Sequence, residues 1–301
     1  MVGDEHERIQ SKNESEKIGR RAYLRCPIII IMLILMFMVL YPLIHLVAVS
    51  FSNPNFIRDG SVGLIPVGFN TKAYHLILGD SQIYKAYGST IFVCAMNCLL
   101  SIVLLCFAAY PLAYGNFRSK GLFSKFIILT MFLSAGIIPN LVVVKALHLD
   151  GSLWSLVLTG LLSAYNIIVV RSYFEGLPKA LIESARVDGA NDFQILFRII
   201  IPCSKPILAT VALWIIVAQW NSYMYPLIYL GNKATTLQIY LANAIKDAAA
   251  LYDTGGLMID DAFATQLRYA AVVCSIIPIL IIFPFAQKFL VKGVTVGSVK
   301  E

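Results

Sequence analysis

The sequence predicts an all-α membrane protein with six transmembrane helices and both chain ends on the cytoplasmic side. Three observations predict it. Six apolar stretches are long enough to cross a hydrocarbon layer of roughly 30 Å, which takes about 20 residues of helix. The chain is 58% hydrophobic and only 14% charged, with a mean hydropathy of +0.76. Its 24 Lys and Arg residues divide unevenly between alternate connections.

The spans are expected near Pro27–Ser50, 88–114, 122–144, 153–170, 207–230 and 269–287. The first is too long for a signal-peptide core and has no small-residue cleavage site behind it, so it is read as a retained span. With the N-terminus inside, the inward connections carry 17 basic residues and the outward ones 7. That asymmetry sets the orientation and explains a pI near 9.0 without a nucleic-acid partner. Residues 1–25 read as a polar cytoplasmic tail, 26–290 as one six-helix domain and 291–301 as a second tail.

All six cysteines, Cys26, Cys94, Cys98, Cys106, Cys203 and Cys274, fall in spans or on the inner side, so no structural disulfide is expected. Cys94 and Cys98 share a helix face, but no His or carboxylate lies near them in sequence. They read as small core residues rather than metal ligands.

The span interiors hold no Asp, Glu, Lys or Arg, the residues that secondary carriers use as proton relays or ion sites. His45 lies near the outer end of its helix and reads as an interfacial residue. The chain also lacks GxxxxGK[ST], the loop whose amides cradle nucleotide phosphates. It therefore has neither an ion-coupling site nor that ATP site, and energy for active transport must arrive through a contact. No paired carboxylates and no Ser-His-Asp or Cys-His set point to an enzyme.

One polar island interrupts the apolar chain at 176–202. Pro178 suits a first helical turn. A short helix is expected through Leu181, Glu183 and Ala185 to about Asp188, with Gly189 in the left-handed conformation that ends it. Asn191 can cap a second helix with Gln194 in a capping-box arrangement. That helix carries Phe193, Leu196, Phe197 and Ile200 on one stripe, and Pro202 should terminate it. By pattern alone the island is either an amphipathic pair on the membrane surface or a docking element for a cytoplasmic partner.

Glu183-Ser184-Ala185, Asp188-Gly189-Ala190 and, after a nine-residue gap from the Gly, Ile199-Ile200-Ile201-Pro202 resemble the EAA loop of binding-protein-dependent ABC importer permeases. Ser184 stands where that family has Ala, and Ile201 where it has Leu. The end of the chain, 291–300, resembles the tail of maltose-type, MalG-like sugar permeases. The likeness covers 20–300 and includes importers of acidic glycans such as alginate or pectin fragments.

The resemblance implies a type I ABC importer permease fold. It implies a second homologous permease subunit, two copies of a cytoplasmic ATPase subunit that hold ATP and Mg, and an extracytoplasmic solute-binding protein. No cofactor is expected on this chain. Glu183, Ala185, Asp188, Gly189, Ala190 and Pro202 would form the coupling element that the ATPases grip, with Phe193, Leu196 and Phe197 fixing it to its own bundle.

The fifth span also carries Trp214, Gln219, Trp220, Asn221, Tyr223 and Tyr225. Tyr225 and Tyr229 read as an interfacial belt. An Asn within lipid needs a partner or a wet cavity, and a sugar offers hydroxyls on a ring with apolar faces. Trp220, Asn221 and Tyr223 are therefore the candidate substrate pathway, and a similar Trp-Asn pair occurs in sugar permeases. The long connection 231–267 would face the solute-binding protein or lie on the membrane as a short helix over 241–251. The function expected is oligosaccharide import across the cytoplasmic (inner) membrane; the alternatives are an ABC permease for a non-sugar solute and a stand-alone secondary carrier.

Overall fold

A computed structural model describes residues 27–133, 135–253 and 261–297, and no strand occurs among them. Helix α1, Pro27–Ser50, is apolar but for His45 and Ser50 and, among the described residues, is buried at its far end, where Ala48 and Val49 meet Val62 and Tyr269. His45 at that end bonds through Nδ1 to the Gly63 carbonyl, 2.9 Å away. Two short helices follow, α2 (Pro54–Arg58) and α3 (Lys72–Gly79).

The central element is α4, Ser81–Tyr114, 34 residues long and capped by the Asp80 carboxylate on the Gln82 amide. Its partners include α7 (Leu153–Leu158), α8 (Ala164–Glu175) and α12 (Lys205–Trp220). Cys94 and Cys98, one turn apart, direct their thiols at the Ile216 and Ala212 carbonyls of α12, at 3.8 and 3.9 Å. Small side chains there let the two helices approach closely. The five cysteines among the described residues are free thiols; Cys26 lies outside them.

Three of the expected spans are broken. The third divides into α5 (Lys120–Phe132) and α6 (Ile137–Ala146), which meet at 112°. Gly136 at that corner has φ +82°, a conformation that glycine adopts without Cβ strain. The fourth divides into α7 and α8 at Thr159-Gly160, where Gly160 has φ +80°. A break frees backbone carbonyls that lipid cannot satisfy. Buried Asn97 of α4 donates through Nδ2 to the Val157 carbonyl at 2.7 Å, meeting one of them. The fifth divides at 221–223 into α12 and α13 (Met224–Leu230).

By length and composition three helices can cross a membrane, or up to five if each bent pair is one span. Periodicity and apolar length predict continuous spans because neither detects a Gly-centred corner inside an apolar run. The final helix, α15 (Asp261–Gly297), begins eight residues before the expected sixth span and continues into the stretch expected as a tail. In the outer connection, α14 is longer than expected, Leu237–Asp253, and packs against α4 and α15. Leu237, Ile239 and Leu241 are buried, so its first turns belong to the core. Residues 254–260 of this connection lie outside the described residues.

Candidate functional site

The polar island folds as two short helices docked on the bundle. Helix α9, Lys179–Val187, has Pro178 as its N-cap and buries Ile182 and Ala185. They join one core cluster with Leu105 and Ala109 of α4, Phe174 of α8 and Val211 of α12. Gly189 has φ +78°. Its amide bonds to the Arg186 carbonyl and that of Ala190 to the Ala185 carbonyl, closing the helix end as a glycine at this position should. No atom lies within 4 Å of where a Cβ on Gly189 would be, so the glycine is required by conformation and not by space.

Asn191 caps α10 (Asp192–Ile195), and its side chain and that of Gln194 form both bonds of a capping box. The chain then passes through one π-turn, Leu196–Ile200, into α11, Ile201–Cys203. Pro202 therefore does not end the helix, contrary to expectation. The wider π-turn before it accommodates a ring with no N–H to donate, and the chain turns by 79° at Ser204 instead.

Glu183, Asp188 and Gly189 are exposed at the tip, Ala185 is buried and Ala190 is half-buried. Leu196 and Ile200 are buried as the stripe requires. Phe193 and Phe197 meet Phe107 edge-on but remain 66% and 52% exposed. The sequence reading passed over Val187, which at 87% exposure is an apolar side chain among the polar residues of the tip. It also passed over Tyr110 of α4, whose hydroxyl donates to Asp192 Oδ1 at 2.8 Å.

A cavity of about 630 Å³ lies where the fourth and fifth spans break. Asn140 of α6, Thr159 and Gly160 of the α7–α8 corner, Gln219, Asn221 and Ser222 at the end of α12, and Tyr223, Tyr225 and Tyr229 line it. No Asp, Glu, Lys, Arg or His is among the lining residues. Exposed Asn221 donates through Nδ2 to the Val217 carbonyl at 2.9 Å. Tyr225 and Tyr229 pack with ring centroids 5.7 Å apart, and the buried Tyr229 hydroxyl has no hydrogen-bond partner among the described residues. Tyr229 is thus a core residue lining a cavity and not part of an interfacial belt.

Trp220 does not share this cavity. Its indole is 3% exposed, donates to the Ser275 carbonyl of α15 at 2.9 Å and packs beside Tyr87. A sugar face has no access to it in this conformation, which corrects the expected Trp-Asn pair. Successive residues at the end of a helix point about 100° apart. Asn140, Thr159 and Gly160, absent from the sequence reading, were signalled only by a polar Asn after Pro139 and a Thr-Gly turn inside apolar runs.

A second cavity, of about 820 Å³, lies between the α3–α4 junction, the 231–235 turn and α14, with Asp80, Lys85, Lys233, Tyr240 and Asn243 in its wall. Asp80 accepts from the Tyr240 hydroxyl at 2.8 Å. That bond and the Gln82 amide hold its carboxyl below the usual carboxylate range, the amide having the larger effect.

A membrane bundle with a docked helix pair on one face and an uncharged cavity at its broken spans defines a transport permease. The family of binding-protein-dependent transport system inner membrane components matches residues 101–296, and the chain belongs to it. It is a transport subunit and not an enzyme.

The polygalacturonan/rhamnogalacturonan transport system permease protein YtcP of Bacillus subtilis (strain 168) is 33% identical over 86% of this chain and 92% of its own. Protein LplC of the same organism is 30% identical over 86% and 88%. A chain from a crystal structure of a bacterial ABC transporter that imports the acidic polysaccharide alginate is 31% identical, with a TM-score of 0.76 over 86% of this chain and 93% of that one. The fold is that of type I ABC importer permeases.

Proposed function

We propose that this chain is the transmembrane permease subunit of an ATP-driven importer that moves oligosaccharides across the cytoplasmic membrane by alternating access. The observation that carries the sugar reading is the uncharged cavity, where amides, hydroxyls and tyrosine rings converge. Hydroxyls are met by amides that both donate and accept, and ring faces by aromatic side chains. Its several separate amides and hydroxyls suit the weak, multi-point binding that transit needs. The saccharides named for YtcP and for the alginate transporter support the same substrate class.

In this reading the chain crosses the membrane six times with both ends inside, and each broken span counts as one crossing. A homologous permease pairs with it, and a solute-binding protein delivers sugar from outside. Of two ATPase subunits, which hold ATP and Mg, one receives α9 and α10 through exposed Glu183, Asp188 and Val187. Their closure would draw the coupling elements together, and the core that α9 shares with α4, α8 and α12 would carry that movement into the bundle. Asn221 and Tyr223 face the sugar, and Trp220 holds the end of α12 against α15.

The test is uptake of labelled oligosaccharide into proteoliposomes containing the whole complex, with and without binding protein and ATP. Uptake that needs both supports the reading. Uptake by this chain alone would return it to the secondary carriers.

A further inference from the structure

Helix α4 is gripped at both ends in the same way. At its start Asp80, the cap, accepts from the Tyr240 hydroxyl of α14 at 2.8 Å. Two residues past Gly88, the buried Thr90 hydroxyl accepts from the Leu237 amide of α14 at 2.9 Å. Near its other end the Tyr110 hydroxyl donates to Asp192 of α10 at 2.8 Å, and Arg186 of α9 lies 3.6 Å from the same carboxylate oxygen. The 34 residues between Asp80 and Gly115 form one unbroken helix, about 51 Å at 1.5 Å per residue. The spans beside it on the α5–α8 side are broken, whereas α4 is continuous and carries both grips.

Apolar packing is non-directional and lets neighbouring helices slide, whereas a hydrogen bond fixes one register. The coupling helices touch α4 mostly through apolar groups, and the Tyr110 bond to Asp192 pins α10 to it.

We propose that α4 is a strut between the outer segment α14 and the cytoplasmic coupling helices, and that Tyr240 and Tyr110 are the positioning residues that fasten its two ends. Movement of α14 when a binding protein docks then reaches α9 and α10 as displacement of one rigid helix. This rests on the reading above that α9 and α10 dock on the ATPase.

The experiment measures ATP hydrolysis by the complete complex in proteoliposomes, with and without sugar-loaded binding protein, for Tyr110→Phe and Tyr240→Phe. Both variants should assemble at the wild-type subunit ratio and keep basal hydrolysis. Stimulation by the binding protein should fall about fivefold or more in each, the scale of an ordinary coupling energy. Asp192→Asn keeps an acceptor for Tyr110 and should retain stimulation, while Asp192→Ala should match Tyr110→Phe. Unchanged stimulation in either Phe variant overturns the proposal. So does failure of either Phe variant to assemble, which would assign that hydroxyl to folding. Failure of the docking reading looks different, since the ATPase would then not co-purify with the wild-type permease.

Discussion

Trp220 and Asn221 are adjacent in the chain and belong to different sites. The Trp220 indole donates to the Ser275 carbonyl inside the bundle, and Asn221, at the C-terminal end of α12, faces the cavity beside Tyr223. Gln238 of α14 donates to the Trp220 carbonyl at 3.2 Å, which further ties that helix end to the core. The two side chains can therefore be separated by mutation.

Trp220→Ala removes a buried ring, a change that costs about 3–5 kcal/mol in a packed core. Its expected result is poor assembly, read as a low yield of complex with correct subunit ratios. Asn221→Leu should leave assembly intact and lower sugar uptake, because it removes an amide from the cavity wall. Normal uptake by an assembled Asn221→Leu complex removes Asn221 from the pathway.

Gly189 allows a graded test. At φ +78° an alanine is strained by about 1–2 kcal/mol but meets no neighbour, so Gly189→Ala should weaken coupling modestly. Gly189→Pro cannot adopt positive φ and should change the angle between α9 and α10. ATPase subunits should then co-purify poorly or hydrolyse ATP without transport. Wild-type uptake per ATP in Gly189→Pro would exclude a coupling role for this turn.

Purified alone, this chain should not hydrolyse ATP, since it has no phosphate-binding loop. Hydrolysis should appear when the second permease and both ATPase copies are added. Phosphate release by the isolated chain, above a detergent blank, is the contrary result.

Asp80 gives a pH dependence with a definite sign. Its folded carboxyl lies below the ordinary value of 3.8, chiefly through the Gln82 amide and then the Tyr240 hydroxyl. A depressed carboxylate contributes stability that is present above the unfolded value and is lost as pH falls through the folded one. The difference in melting temperature between wild type and Asp80→Ala should thus be constant near neutrality and shrink below pH 3.8. A difference that persists under acid would point to a role other than the charge.

Much of the docked helix pair α9–α10 is legible in the sequence because its signals are local. A glycine at the turn, an Asn-Gln capping box and a stripe at helical spacing each depend on residues within one or two turns. Pro202 misled for a non-local reason. A proline ends a regular helix, but the preceding π-turn, whose Leu196 and Ile200 are buried in the core, lets the helix continue to Cys203.

The sequence by itself determined the membrane class, the absence of a phosphate-binding loop and the place of the Gly189 turn, because hydropathy and turn chemistry are properties of short stretches. Only the tertiary structure decided which way each polar residue of the broken spans faces. Asn140, Thr159 and Asn221 are far apart in the chain and meet because three corners fall together. Trp220 turned inward because a buried indole needs an acceptor, and the Ser275 carbonyl of α15 supplies it.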